Sequence, residues 1–249
     1  MPGYQVKTET LLLGNTPWQI RSLVDNQQYA DPQNASGDIG IPPAGWSLFG
    51  QVWPSARVLA LAMLTHPLRG QRILEIGAGL ALTSLVLHSR GANVTVSDWH
   101  PLAESFLLEN LRLNHLGPLR YAPGNWATAN PWLGRFDLIV GSDLLYERQQ
   151  PAQLASFIDR HAAAGCEVIV VDPDWMEMDP SARSETMPPT ESPLASWMTS
   201  SVRSVSSAGG ARLARTRAAT CRSGTLIGPT PGEVHCRLSP SSLTGSPRS

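Results

Sequence analysis

Residues 72–80 read RILEIGAGL and place a short apolar run directly before a turn that contains two glycines. The run at residues 72–76 predicts a buried strand, and residues 80–90 predict a helix after it. Glycine in such a turn lets a ligand approach the backbone closely and leaves the first N–H groups of the helix free. This stretch therefore predicts a strand, a glycine turn and a helix that together can face a ligand.

The same order of strand and helix continues on both sides of this unit. Upstream, a helix follows Trp53-Pro54, where proline suits the first helical turn. Downstream, predicted strands at residues 93–97, 120–122, 136–140 and 167–171 alternate with predicted helices at 101–114 and 150–163. Parallel strands need a crossover to return the chain, usually a helix. The pattern therefore predicts a doubly wound, Rossmann-like α/β fold, a mostly parallel sheet with helices on both faces.

The chain divides into three parts by pattern. Residues 1–50 carry short mixed runs broken by turn signals and predict the strands and turns of an N-terminal cap. Residues 51–174 form the alternating core. Residues 175–249 are dominated by Ser, Pro, Arg, Ala and Thr without periodic segments, which predicts a disordered tail. The tail is either a native flexible extension or a stretch read in a shifted frame, and the abrupt change of composition favours the shifted frame.

The overall composition limits the class of protein. Of 249 residues, 42% are hydrophobic, and 19 basic against 20 acidic residues leave a net charge of -1. A near-neutral chain predicts no general attraction to nucleic acid or to anionic membranes. The longest apolar run, residues 58–64, is far shorter than the roughly 20 residues that cross a bilayer, so we expect no membrane span.

Cysteine and histidine usage narrows the setting further. Cys166, Cys221 and Cys236 lack metal-ligand spacing, and the chain shows no signal peptide. These features favour a reducing compartment over a disulfide framework, and we expect a cytoplasmic monomer. The histidines do not cluster with cysteine or acid at ligand spacing, so no metal is expected.

Acidic residues mark the carboxyl ends of the first two core strands, where ligands bind in such sheets. Glu75 ends the first strand, and Asp98 follows the second, where an acid can bind both hydroxyls of a ribose. Together with Gly77 and Gly79, this spacing favours a nucleoside-containing cofactor over a plain glycine turn with a surface aspartate. A dinucleotide fingerprint would need a third glycine where Leu82 stands.

Charge then favours one cofactor over another. Glu75 would lie unfavourably beside a diphosphate, whereas S-adenosylmethionine has no phosphate and carries a positive ammonium and a positive sulfonium. The sequence therefore favours S-adenosylmethionine and disfavours a nicotinamide-dependent oxidoreductase.

These motifs, with Trp53-Pro54-Ser55, Asn125-Trp126 and the SDLLYE of residues 142–147, resemble the seven-strand S-adenosylmethionine-dependent methyltransferases. Within them the chain is similar to the branch of protein-lysine methyltransferases that also includes relatives of nicotinamide N-methyltransferase. The resemblance covers residues 1 to about 174. In this branch a final helix and an antiparallel strand pair complete the sheet, and residues 175–249 show no convincing match to them.

The resemblance implies a role for each matching residue. Gly77 and Gly79 would line the methionine end of the cofactor, Asp98 would bind the ribose, and Trp53 and Trp126 would flank the adenine. Two positions depart from the pattern. Ala81 stands where the branch usually has glycine, and Asn125 stands where an aspartate is common. The amide of Asn125 still offers a hydrogen-bond acceptor as well as donors.

The acid of SDLLYE is the candidate catalytic group. Asp143 ends the fourth strand, so its carboxylate can pair with the cofactor's ammonium or with an incoming amine, and the Tyr146 ring can attract a cation. In the alternative, Asp143 caps the following helix and Tyr146 packs in the connecting loop. We interpret His100 as a surface residue at the start of a helix rather than as an adenine contact.

The sequence thus predicts an N-methyltransferase that modifies a lysine of a protein substrate. Two alternatives stay open, a methyltransferase of a small amine or heteroaromatic compound and a relative that binds the cofactor without turnover. Neither nucleic acid nor a membrane is an expected partner.

Overall fold

The computed structural model describes residues 4–27, 35–38, 40–144 and 150–171, together with the strands at 203–206, 212–215 and 234–237. The strands are β1 Val6–Leu13, β2 Thr16–Leu23, β3 Arg72–Ile76, β4 Asn93–Ser97, β5 Arg120–Tyr121, β6 Phe136–Ser142, β7 Ala162–Val171, β8 Arg203–Ser206, β9 Arg212–Arg215 and β10 Val234–Arg237. The helices are α1 Ala35–Asp38, α2 Pro43–Trp46, α3 Pro54–Met63, α4 Leu82–Ser89, α5 Ala103–Leu113 and α6 Gln150–His161, with a 3-10 turn at Leu48–Gly50.

The main sheet has β3 at its centre. Its strand order is β10-β9-β8-β7-β6-β3-β4-β5, and β3 to β7 are parallel to their neighbours among themselves. The chain runs outward from β3 to β4 and β5, then returns to β6 and β7 on the other side. Strand order therefore reverses between β3 and β6, which is where such sheets bind their ligands. The predicted mostly parallel sheet is confirmed.

Helices cover both faces of this sheet because successive side chains of a buried strand point to opposite sides. Ile73 of β3 belongs to one core cluster, with side chains of α3, α4 and α5, whereas Leu74 belongs to a second cluster with α6. The predicted helices on both faces are confirmed.

The N-terminal strands form a hairpin that lies against this first core. β1 and β2 pair antiparallel around Gly14, whose φ of 58° suits glycine in the tight turn. Buried side chains of β2, including Trp18 and Ile20, share one cluster with Phe106 of α5. The predicted strands and turns of this region are confirmed, and their apolar face extends the core of the sheet.

The tail differs in part from the expectation. β8 pairs antiparallel with β7, from Glu167 opposite Ser206 to Val170 opposite Arg203, and β9 and β10 continue the sheet. Backbone groups on the outer edge of β7 need partners whatever the side chains of the added strand are. Pattern alone therefore missed these strands. The predicted disorder of the remaining tail lies outside the described residues.

Candidate active site

A cavity of about 530 Å³ lies at the carboxyl ends of the central strands. Its wall contains seven of the residues predicted from sequence, namely Trp53, Gly77, Gly79, Asp98, Asn125, Trp126 and Asp143. These residues come from separate parts of the chain and meet because parallel strands end at the same edge of a sheet. Tyr146 lies outside the described residues, so its predicted place in the site stays a prediction.

The glycine turn after β3 needs its glycines for two reasons. Gly77 and Gly79 have φ of 56° and 52°, in the left-handed region that disfavours a Cβ atom. A Cβ on Gly79 would also lie 2.7 Å from the carbonyl oxygen of Phe49, and one on Gly77 would lie 2.5 Å from Cδ2 of Leu144. The turn therefore packs tightly against Phe49 and Leu144, which line the same cavity.

Asp98 joins this turn to the end of β4. Its Oδ2 accepts the N–H of Gly79 at 2.7 Å, and its Oδ1 accepts the N–H of His100 at 2.7 Å. Burial raises the pKa of this carboxyl above its usual value. A carboxylate has about four lone-pair directions, so beyond these two hydrogen bonds and one from the Trp99 N–H the group retains capacity to accept a ligand hydroxyl.

Glu75, a candidate cofactor-binding residue because it ends the first core strand, is buried beside the start of α4. The side chain is 3% exposed, and Oε2 accepts the N–H of Ser84 in the first turn of α4 at 2.8 Å. It is not part of the cavity wall. The Glu75 side chain lies at the start of α4 because the free N–H groups of the first helical turn attract a hydrogen-bond acceptor. Burial raises the pKa of Glu75 to about 7.

Asp143 lies on the cavity wall in a constrained conformation. Its φ is 53°, and its backbone N–H donates to the carbonyl of Val171 at 2.9 Å. The carboxylate accepts hydrogen bonds from the Ser55 side chain and the Ala56 N–H, so it caps the start of α3. The sequence alternative named the following helix as the capped element.

One oxygen of Asp143 is not used in this cap. Oδ2 is buried and has no hydrogen-bond partner among the residues that the structure describes. Burial raises the pKa of the group to about 6, so the carboxyl is still mostly ionised at neutral pH. A buried acceptor of this kind is suited to a ligand that donates hydrogen bonds or carries positive charge.

Two of the three tryptophans on the wall, Trp53 and Trp126, are held through their polar atoms. Nε1 of Trp53 donates to the carbonyl of Leu48 at 2.8 Å. The carbonyl of Trp126 accepts Nη2 of Arg160 at 2.9 Å. Asn125, beside it, uses Oδ1 to accept the N–H of Ala127 at 2.8 Å. The loop that carries Asn125 and Trp126 is thereby fixed, whereas contact of either tryptophan with an adenine stays a prediction.

His100 corrects the sequence interpretation of a surface residue. It is 4% exposed, lies on the cavity wall and stacks on Phe49 with ring centroids 3.8 Å apart and an interplanar angle of 12°. Phe49 comes from the 3-10 turn, far from His100 in sequence, so no local pattern indicated this stack. The only local signal was the position of His100 two residues after Asp98, at the end of a strand.

The charge on the wall has one sign. Asp98 and Asp143 are its acidic side chains, and no lysine or arginine occurs among its described lining residues. Within the same described part of the chain, no group of three or more His, Cys, Asp or Glu residues could hold a metal ion. No helix of the described ranges is long and apolar enough to cross a membrane. The cavity is thus built for a ligand that is neutral or positive where it meets these acids.

The sequence of the chain matches a known protein family and several curated proteins. Residues 44–175 match the model of a family described as lysine methyltransferase. The chain is 30% identical over 132 residues to the electron transfer flavoprotein beta subunit lysine methyltransferase of Rattus norvegicus, which covers 51% of this chain and 50% of that protein. It is 33% identical over 129 residues to the protein N-lysine methyltransferase METTL21A of Danio rerio, covering 48% and 58%.

Two further similarities concern other methyltransferases. The chain is 34% identical over 105 residues to the histone-arginine methyltransferase METTL23 of Xenopus laevis, covering 39% of this chain and 44% of that one. Among solved structures, a T. thermophilus 16S rRNA N2 G1207 methyltransferase in complex with AdoMet and guanosine has a TM-score of 0.49 at 18% identity, covering 70% of this chain and 44% of that one. The chain spans about half the length of the curated relatives it matches.

Proposed function

The chain belongs to the lysine methyltransferase family, and on that premise we propose that it transfers a methyl group from S-adenosylmethionine to a lysine side chain of a protein substrate. The observation that carries this proposal is the cavity wall with two carboxylates and, among its described residues, no cationic side chain. Such a wall favours a cofactor with positive ammonium and sulfonium groups and disfavours the diphosphate of a dinucleotide.

The residues on the wall fit this cofactor. Asp98 would accept the hydroxyls of the ribose, and the turn of Gly77 and Gly79 allows close approach of the backbone. The unpartnered Oδ2 of Asp143 would accept a hydrogen bond from the cofactor's ammonium or from the acceptor amine. Trp53 and Trp126 would flank the adenine.

The chemistry asks little of the protein beyond position. S-adenosylmethionine, when bound, supplies an electrophilic methyl group, so the chain has to hold a neutral amine in line with it and exclude water. Asp143 is ionised at neutral pH, since its pKa is about 6, and is suited to attract and orient the amine. Tyr146 is proposed as the aromatic wall beside it.

The names of two matched relatives support lysine as the acceptor, since those proteins are called lysine methyltransferases. One relative is named a histone-arginine methyltransferase, so arginine is a second candidate within the same chemistry. A small amine as acceptor and a cofactor-binding relative without turnover are the remaining alternatives.

We also propose the setting in which the protein acts. Its net charge of -1 supports a partner other than nucleic acid, and the lack of metal-type or disulfide-type cysteine spacing supports a reducing, cytoplasmic location. We propose that it acts as a monomer on its protein substrate.

Calorimetric titration tests the cofactor. We expect S-adenosylmethionine to bind and NAD not to bind, and Asp98→Ala to weaken S-adenosylmethionine binding at least about tenfold, or 1.4 kcal/mol, because the ribose hydroxyls lose a charged acceptor. Thermal unfolding of the variant is the control for its fold. Tight binding of NAD, or unchanged affinity in a folded Asp98→Ala protein, would contradict this assignment.

Methyl transfer to a cell extract tests the acceptor. The chain is incubated with S-adenosylmethionine that carries an isotopically labelled methyl group, and proteins and metabolites are then separated and analysed by mass spectrometry. We expect label on lysine residues of protein. Label confined to small molecules would replace the proposed acceptor, and cofactor binding without any labelled product would identify an inactive relative.

A further inference from the structure

Asn110 lies on α5, outside the cavity wall, yet its amide reaches the ligand-facing turn. The side chain is fully buried, and Nδ2 donates to the carbonyl of Leu80 at 3.3 Å. Leu80 lies between Gly79 and Ala81 and forms part of the cavity wall. A hydrogen bond formed away from water fixes the position of the group that it holds.

The same amide also holds the N-terminal hairpin. Oδ1 of Asn110 accepts the N–H of Arg21 at 2.7 Å, and Nδ2 lies 3.5 Å from the Arg21 carbonyl. Arg21 follows Ile20, which itself lines the cavity. One side chain therefore joins three elements, namely α5, the edge of β2 and the glycine turn.

Asn114 repeats half of this arrangement one helical turn later. Its Oδ1 accepts the N–H of Gln19 at 2.9 Å, and its Nδ2 donates to the Gln19 carbonyl at 2.7 Å. Four residues of helix rise about 6 Å and two residues of strand about 6.6 Å, so the two asparagines match alternate residues of β2. The hydrogen bonds of the Asn114 side chain reach β2 and α5 but not the glycine turn, which makes it a matched control for Asn110.

We propose that Asn110 is a positioning residue that holds the glycine turn and the N-terminal hairpin in one fixed arrangement. Leu80 of the turn and Ile20 of the hairpin thereby keep their positions on the cavity wall. Without its donor, the Leu80 carbonyl would be buried and unpaired, a state that a shift of the turn relieves. The consequence for S-adenosylmethionine rests on the proposed function, whereas the consequence for the turn itself does not.

Hydrogen exchange on the full chain, followed by mass spectrometry of peptides that span residues 77–82 and the hairpin, tests this role. The amides of Ala78, Gly79 and Ala81 have acceptors in the structure, so their exchange reports on the turn. The variants are Asn110→Ala, Asn110→Leu, which keeps the branched shape without the polar atoms, and Asn114→Ala. We expect both Asn110 variants to speed exchange in the turn about tenfold and to weaken S-adenosylmethionine binding about tenfold.

The control separates this role from general loss of stability. We expect Asn114→Ala to speed exchange in the hairpin but to change exchange in the turn and cofactor affinity less than about threefold. An unchanged turn in the Asn110 variants, an equal effect of Asn114→Ala, or an effect of Asn110→Ala that Asn110→Leu lacks would each overturn the proposal. If the wild-type chain binds no S-adenosylmethionine, the proposed function fails, and the exchange comparison still decides the role of Asn110.

Discussion

Asp143 has two oxygens with different surroundings, and this difference makes its role measurable. The carboxylate caps α3 through Ser55 and Ala56, and Oδ2 has no partner among the described residues. Asparagine keeps the shape and a capping oxygen but removes the charge. We therefore expect Asp143→Asn to lower turnover at least about a hundredfold, nearly 3 kcal/mol, measured as initial rates on the substrate found by labelling.

Stability is the matched measurement for this variant. Because burial raises the pKa of Asp143, the ionised form is already disfavoured in the fold, and asparagine avoids that cost. We expect urea unfolding of Asp143→Asn to stay within about 1 kcal/mol of wild type at pH 7.5. An Asn variant with wild-type turnover would leave Asp143 with its capping role alone.

The fate of single residues shows what sequence patterns can predict. Asp98 and Asp143 lie on the cavity wall because they follow strands whose carboxyl ends share one edge of the sheet, whereas their roles stay predictions. Glu75 lies off the cavity wall because its side chain accepts the N–H of Ser84, a contact that a strand pattern does not contain. His100 was misplaced because its partner, Phe49, belongs to a distant segment.

At the scale of elements, two glycines with positive φ separate the energetic cost of the backbone angle from the cost of a close contact. Gly79 and Gly91 both have positive φ, but a Cβ would meet the Phe49 carbonyl oxygen at Gly79 and no atom within 4 Å at Gly91. We expect Gly91→Ala to cost about 1 kcal/mol of unfolding free energy through φ alone. Gly79→Ala should cost at least about 1 kcal/mol more and weaken cofactor binding about tenfold, by urea unfolding and calorimetry. Equal losses in both variants would mean that the close contact has no energetic weight.

Element boundaries also show where prediction from sequence ends. The predicted helix at residues 80–90 begins at Leu82 in the structure, since Ala81 has a φ of 59° and lies outside helical geometry. Glycine is the usual residue for such a backbone, so Ala81 holds this conformation at an energetic cost. Apolar periodicity finds the helix, whereas the single left-handed residue that delays its start has no periodic signal.

Across the whole molecule, the buried acids predict a dependence of stability on pH. Burial raises the pKa of Glu75 from 4.5 to about 7, so the folded chain holds this proton more tightly than the unfolded chain does. The resulting stabilisation is complete below pH 4.5 and is lost as the pH rises through about 7. We expect Glu75 to contribute a fall of up to about 3 kcal/mol in unfolding free energy over this range.

Urea unfolding between pH 4.5 and 8 measures this contribution. Glu75→Gln keeps an acceptor for the Ser84 N–H but does not titrate, so its unfolding free energy should fall less with pH than that of wild type. Glu104→Gln, at an exposed glutamate of α5, is the control for the loss of one carboxylate at the surface. Parallel profiles for wild type and Glu75→Gln would show that Glu75 titrates alike in both states.

The attachment of the hairpin to α5 sets an order of events during translation. The N–H of Arg21 can bond to Asn110 only after 89 more residues have been synthesised. The N–H of Gln19 can bond to Asn114 only after 95 more residues. At ribosomal rates of about 5–20 residues per second, this delay is roughly 5–20 s. A two-stranded hairpin is marginal in water by itself, and over that time it lacks the hydrogen bonds that tie it to α5. The hairpin is therefore synthesised well before it can take its final place on α5.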